Sequence, residues 1–130
     1  MPEPGTYRLH VLKQELAVCR LEAPPPETPP SARFWSLTRT ENETSLICSV
    51  ELAPGDCPCE RGWIAFEVEG PFEFNVVGVM ARLSGCLAEA RLSVLAVATF
   101  DTDYLLVRKR ELENAVAALE EDGHIVERPG

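Results

Sequence analysis

WIAFEVEG (63–70), NVVGVMARLSGCLAEA (75–90), LSVLAVATFDTDYLLVRK (92–109) and ELENAVAALEEDGHIVER (111–128) are the stretches that decide the fold. In the second, Val76, Val79, Met80, Leu83, Leu87 and Ala90 recur at spacings of three and four, which predicts an amphipathic helix over 75–90 with Asn75 as its N-cap. In the fourth, Leu112, Ala115, Val116 and Leu119 share one face, Glu111 and Glu113 sit near the positive helix end, and Gly123 is placed to stop the helix. The first reads as a strand whose loose alternation covers both faces. The third reads as two strands around a tight Asp101-Thr102 turn, forming a central hairpin, and HIVER supplies a last short strand. The order strand, helix, strand, strand, helix, strand predicts an α+β ferredoxin-like (βαββαβ) sandwich, with antiparallel strands and both helices on one face.

Working outward, LAPGDCPCERG carries two prolines and two glycines and is the best internal boundary, so the chain divides into 1–61 and 62–130. Before it, FWSLTR and TSLICSVEL are strands joined by the polar turn 40–43. Upstream, EAPPPETPPSAR is too rich in proline for helix or central strand and reads as an extended connector. Tyr7 to Leu21 is strand-like, either a hairpin or one long bent strand.

The composition bounds the function. Twelve basic against 21 acidic residues give a net charge of −9, which repels phosphate backbones and excludes nucleic acid as the expected partner. No stretch approaches the roughly 20 apolar residues of a membrane span, and MPEPGTYRLH lacks the features of a secretion signal, so a cytoplasmic chain without membrane contact is expected. The thiols are Cys19, Cys48, Cys57, Cys59 and Cys86, an odd count at irregular spacing that indicates no disulfide framework. Cys57-Pro58-Cys59 lacks the C-x-x-C spacing of zinc knuckles and redox sites and reads as a loop with incidental thiols; no metal or cofactor is expected.

VATFDTDYLLV (97–107) is more specific than any periodicity. It resembles the "STxDTDYxLV" segment of the ACT-domain family that includes the cytosolic arginine sensors and small bacterial relatives. TENETSLIC (40–48) is similar to that family's "TxxExSxxC" segment, and AVCRL (17–21) and Gly62-Trp63 also fit in order. Ala98 stands where Ser is usual, and the prolines leave the N-terminal half abbreviated. The hairpins WSLTRTENETSLICSV and LAVATFDTDYLLVRK look like distant copies, each with a Thr closing its first strand. The resemblance therefore implies two ACT-like halves in tandem and an amino-acid ligand at the interface between such halves. It matches Thr99, Phe100 and Asp103 to ligand-contacting positions, with Ser45 and Leu46 contributing from the other half.

An amino acid needs donors on one side and acceptors on the other. Backbone N–H groups at the helix start, around Asn75, Val76, Val77 and Gly78, would seat a carboxylate. Asp103 would face an ammonium or guanidinium, and Phe100 would cover an apolar stem. By spacing alone the same residues have plainer uses: Asp101 and Asp103 closing a turn, Asn75 capping, Gly78 allowing close packing. The expected function is a small-molecule-binding regulator or sensor, not an enzyme, working as a homodimer with a protein partner that the sequence does not name. The alternatives are a dimerisation module without a ligand and an acylphosphatase-like hydrolase. For the latter, the segment EGPFEFN before the helix is acidic where a phosphate-binding loop is needed.

Overall fold

The computed structural model describes residues 5–22, 24–69 and 78–129. Its elements are β1 (Arg8–Val11), β2 (Leu16–Leu21), β3 (Trp35–Arg39), β4 (Thr44–Ser49), β5 (Cys59–Val68), α1 (Val79–Glu89), β6 (Leu95–Ala98), β7 (Asp103–Arg108), α2 (Leu112–Glu121) and β8 (Ile125–Glu127). The chain forms two compact units, Met1–Lys13 with Ile64–Gly130, and Gln14–Trp63. The division differs from 1–61 and 62–130 chiefly because β1 belongs with the C-terminal residues. It pairs antiparallel with β5, Leu9 opposite Val68, and parallel with β8, Leu9 opposite Val126.

The C-terminal unit runs β5-α1-β6-β7-α2-β8, with β7 paired to both β5 and β6. One cluster holds the sheet residues Leu9, Val11, Ile64, Phe66, Val68, Leu105 and Val107 together with Val79, Leu83 and Leu87 of α1 and Ala115, Val116 and Leu119 of α2. The sheet members alternate along each strand, so both helices cover one face. This is an α+β ferredoxin-like sandwich. The expectation of a wholly antiparallel sheet fails at one place: β1 lies between β5 and β8, and its parallel pairing with β8 makes the sheet mixed. The hairpin expected to be central also divides. Leu105, Leu106 and Val107 of β7 are fully buried, whereas β6 pairs only with β7 among the described residues and leaves Ala96 and Ala98 exposed.

Local chemistry sets the helix ends. α1 begins at Val79 rather than near Asn75, and its N-cap is Gly78 at φ 91°. Asn75, Val76 and Val77 lie outside the described residues. Both helices end in the same motif. Leu92 and Arg91 donate back to the Leu87 and Ala88 carbonyls at the end of α1. His124 and Gly123 do the same to Leu119 and Glu120 at the end of α2. The motif needs a left-handed residue, which Gly123 supplies at φ 94° and Arg91 at φ 65°.

The N-terminal unit is an antiparallel sheet in which β4 pairs with β3 and β2, and β2 pairs with the first half of β5. Its buried residues include Leu16, Ala17, Cys19, Leu46, Cys48 and Trp63. Among the described residues it contains no α-helix, only the 3-10 turn Val50–Leu52, because proline removes N–H donors through the connector. β1 and β2 do not form a hairpin with each other; each pairs with β5.

Candidate functional site

The turn between β6 and β7 is built by Thr99. Its backbone N–H and its hydroxyl both donate to the Thr102 carbonyl at 2.8 Å, and the hydroxyl accepts the Thr102 N–H at 3.2 Å. That lock holds Phe100 at the turn tip, 76% exposed, and starts β7 at the half-buried Asp103, opposite Ala98. An aromatic ring held out in water, with a carboxylate three residues on, can cover an apolar stem and pair a cation. Behind it, Tyr104 donates its hydroxyl to Glu67 at 3.1 Å. Burial first, and the Glu67 charge second, push the Tyr104 hydroxyl above its ordinary value. The contact places the turn at the end of the sheet where β5 finishes.

The other hairpin repeats this chemistry. Thr40 N–H donates to the Glu43 carbonyl at 2.8 Å, and the Thr40 hydroxyl accepts the N–H groups of Asn42 and Glu43, each at 3.1 Å. Ser45, on β4, donates its hydroxyl to the Glu43 carboxylate at 3.1 Å and stands opposite Arg20. With Val18, Arg20, Pro58 and Glu60 it lines a cavity of about 320 Å³. Leu46 is different: its side chain is fully buried opposite Cys19, so only its backbone is on offer. Gly78 is exposed, and a Cβ there would meet nothing within 4 Å among the described residues; its positive φ favours glycine. Thr99, Phe100 and Asp103 thus share one hairpin end, while Ser45 and Leu46 belong to the other unit.

Two constellations were not foreseen. His124 is 3% exposed, its Nδ1 accepts the Tyr7 N–H at 3.1 Å, and its Nε2 faces the Asp122 carboxylate at 3.0 Å. A backbone N–H can only donate, so Nδ1 carries no proton and the ring is neutral. Burial lowers the His124 pKa against the opposing pull of Asp122. The second is a group of thiols. The sulfurs of Cys19, Cys57 and Cys59 all lie within 4.8 Å of one another, with Cys57 and Cys59 3.7 Å apart. Burial, reinforced by Cys59, pushes the thiols of Cys19 and Cys57 upward. The sequence signal was the i, i+2 pair at 57 and 59; the third member depends on a strand register that periodicity does not reveal.

Residues 59–121 match the family model for the ACT domain. Over 98 residues, 67% of this chain, the sequence is 29% identical to a Bos taurus protein named cytosolic arginine sensor for mTORC1 subunit 1, and the chain spans 30% of that relative's length. The crystal structure of protein Atu0741 from Agrobacterium tumefaciens matches with a TM-score of 0.87 at 30% identity, covering 96% of this chain and 95% of that one. The chain belongs to the ACT-domain family. The regulatory subunit of aspartate kinase from Thermus thermophilus, in its ligand-free form, shares the fold with a TM-score of 0.61 at 8% identity. That match covers 87% of this ACT chain and 95% of the subunit. No helix among the described residues is long and apolar enough to cross a membrane.

Proposed function

We propose that this protein is a regulatory module that binds an amino acid, with no catalysis of its own. The observation that carries the reading is the hairpin end where the Thr99 lock presents Phe100 and Asp103 together. Phe100 is 76% exposed at the turn tip, and a ligand stem laid on its ring would remove that apolar surface from water. Its similarity to a protein named as an arginine sensor supports an amino acid as the ligand class. Arg20, Ser45 and Glu60 around the second cavity offer a cation, a hydroxyl and a carboxylate for the same class of molecule.

The reading includes two ACT-like halves in tandem, supported by the matched Thr40 and Thr99 turns, each bonding to the residue three places on. It also includes a homodimer, for which β6 offers a strand edge; sedimentation equilibrium measures it. Binding is favoured over catalysis because His124, the buried histidine, already has both ring nitrogens engaged.

The test is thermal unfolding of the chain against each of the twenty amino acids. One that binds only the folded state stabilises by about 2.7 kcal/mol at a hundred times its Kd. Asp103→Ala should abolish the shift while leaving the unliganded midpoint within a few degrees; Ser45→Ala reads out the second cavity separately. If no amino acid raises the midpoint, the ligand reading falls and dimerisation alone remains.

A further inference from the structure

We propose that Cys19, Cys57 and Cys59 form a three-thiolate site for a soft, thiophilic d10 cation, Zn²⁺ or Cu⁺. The site follows from strand geometry. Cys59 opens β5 directly opposite Cys19 of β2, and the ladder extends one residue further back through the Arg20 N–H, which donates to the Pro58 carbonyl at 2.9 Å. Alternation along the strand then returns Cys57 to the face that carries Cys59. Pro54 and Pro58 flank Cys57, each fixing its own backbone φ and so narrowing the conformations open to the segment that leads into Cys59. The Pro54 carbonyl lies 3.6 Å from the Cys59 sulfur and 3.9 Å from that of Cys57, and accepts from both thiols.

The dimensions fit a metal better than a disulfide. Tetrahedral zinc at about 2.3 Å from each sulfur separates its sulfurs by about 3.8 Å. The Cys57–Cys59 distance is 3.7 Å and the whole triad lies within 4.8 Å, whereas a disulfide requires about 2.05 Å. Among the described residues no carboxylate or imidazole belongs to the group, and an all-sulfur donor set selects soft cations over Mg²⁺ or Ca²⁺. Three protein donors leave one position for water around Zn²⁺, or complete a trigonal shell for Cu⁺. Entry is available because Cys57 lines a cavity of about 570 Å³ with Leu21, Pro24, Leu52, Pro54 and Asp56. The bound cation ties the 53–58 loop to β2 in a unit whose described residues include no α-helix, where a metal clip has the most to contribute. Cys19 and Cys59 also line the cavity that Arg20, Ser45 and Glu60 share, but the Thr99–Asp103 hairpin contributes nothing to the thiol group, so sulfur coordination and the Asp103→Ala shift test the two readings separately.

The experiment uses the full chain, reduced and metal-free, titrated with Zn²⁺ or Cu⁺ alone against a chromophoric chelator. Thiolate-to-metal charge-transfer absorption and X-ray absorption are recorded on the product. One cation per chain with three sulfur neighbours is expected for at least one probe, together with a raised unfolding midpoint. Cys57→Ser, on the loop and outside the β5 ladder, should weaken binding at least ~100-fold. Cys59→Ser should do the same, and Cys86→Ser, in the other unit, should change nothing. Binding of both probes no tighter than that of the Cys57→Ser/Cys59→Ser double variant overturns the proposal. So does a cation with fewer than three sulfur neighbours, or a disulfide among the three cysteines in chain purified without oxygen.

Discussion

His124→Phe should cost stability at neutral pH and lose most of that cost in acid. The ring is buried, stacked on Tyr7 with centroids 5.7 Å apart, and phenylalanine keeps the stack while removing both hydrogen bonds. The part-buried Tyr7 N–H loses this acceptor, and the loss of one such hydrogen bond costs about 1 kcal/mol. The Asp122 carboxylate is exposed and keeps its bond to Arg82, so it stays partnered when the imidazole is removed. The pH dependence follows from linkage. The folded pKa of His124 is lowered by burial from an ordinary value of 6.5, so below that value the unfolded chain takes up the proton first. The stability contributed by the neutral imidazole is complete above pH 6.5 and is lost as pH falls through the folded value. Asp122, also lowered, chiefly by Arg82 and secondarily by His124, acts only below its ordinary 3.8. Urea unfolding of both proteins between pH 7.5 and 5 measures the gap, which should narrow as pH falls. A gap that is zero at pH 7.5, or that widens in acid, would refute the neutral buried imidazole.

Other substitutions probe the same framework. Phe66→Ala, fully buried in the helix-covered core, should cost about 3–5 kcal/mol in denaturant unfolding. Gly123→Ala should cost about 1–2 kcal/mol, since its φ is 94° and the added Cβ would stand 3.3 Å from Thr6 Cγ2. Arg91→Gly, which relieves a left-handed arginine at φ 65°, should be neutral or stabilising by up to about 1 kcal/mol. Tyr104→Phe should cost about 1 kcal/mol by loss of the bond to Glu67; in the parent chain, ultraviolet titration should show one tyrosine ionising above its ordinary range.

Much of the fold could be read directly. The three- and four-residue spacing of Val79, Leu83 and Leu87, and the face carrying Ala115, Val116 and Leu119, are the buried helix faces observed, and Gly123 does end α2. The four consecutive buried residues Trp63, Ile64, Ala65 and Phe66 match a strand covered on both faces. These signals are local: each depends on residues within a few positions of one another, where backbone geometry alone fixes which side chains share a face. α1 starts at Val79 because Gly78, left-handed at φ 91°, stands at its N-cap and interrupts the helical backbone, a conformation that side-chain periodicity does not signal. Of the candidate site, the 99–103 hairpin was legible because its turn chemistry is contained in five residues, whereas the burial of the Leu46 side chain was not.

What only the tertiary structure decided is non-local. Nothing near Leu9 states that β1 takes the place beside β5 and pairs parallel to β8, because strand registers join residues more than a hundred positions apart. The same holds for Cys19, whose register with Cys59 turns a two-residue pattern into a three-sulfur group, and for His124, whose neutrality follows from a donor at Tyr7. Sequence determined the helices, the turns and the family; the pairing of distant strands, selected by burial of the whole core, decided which reactive side chains meet.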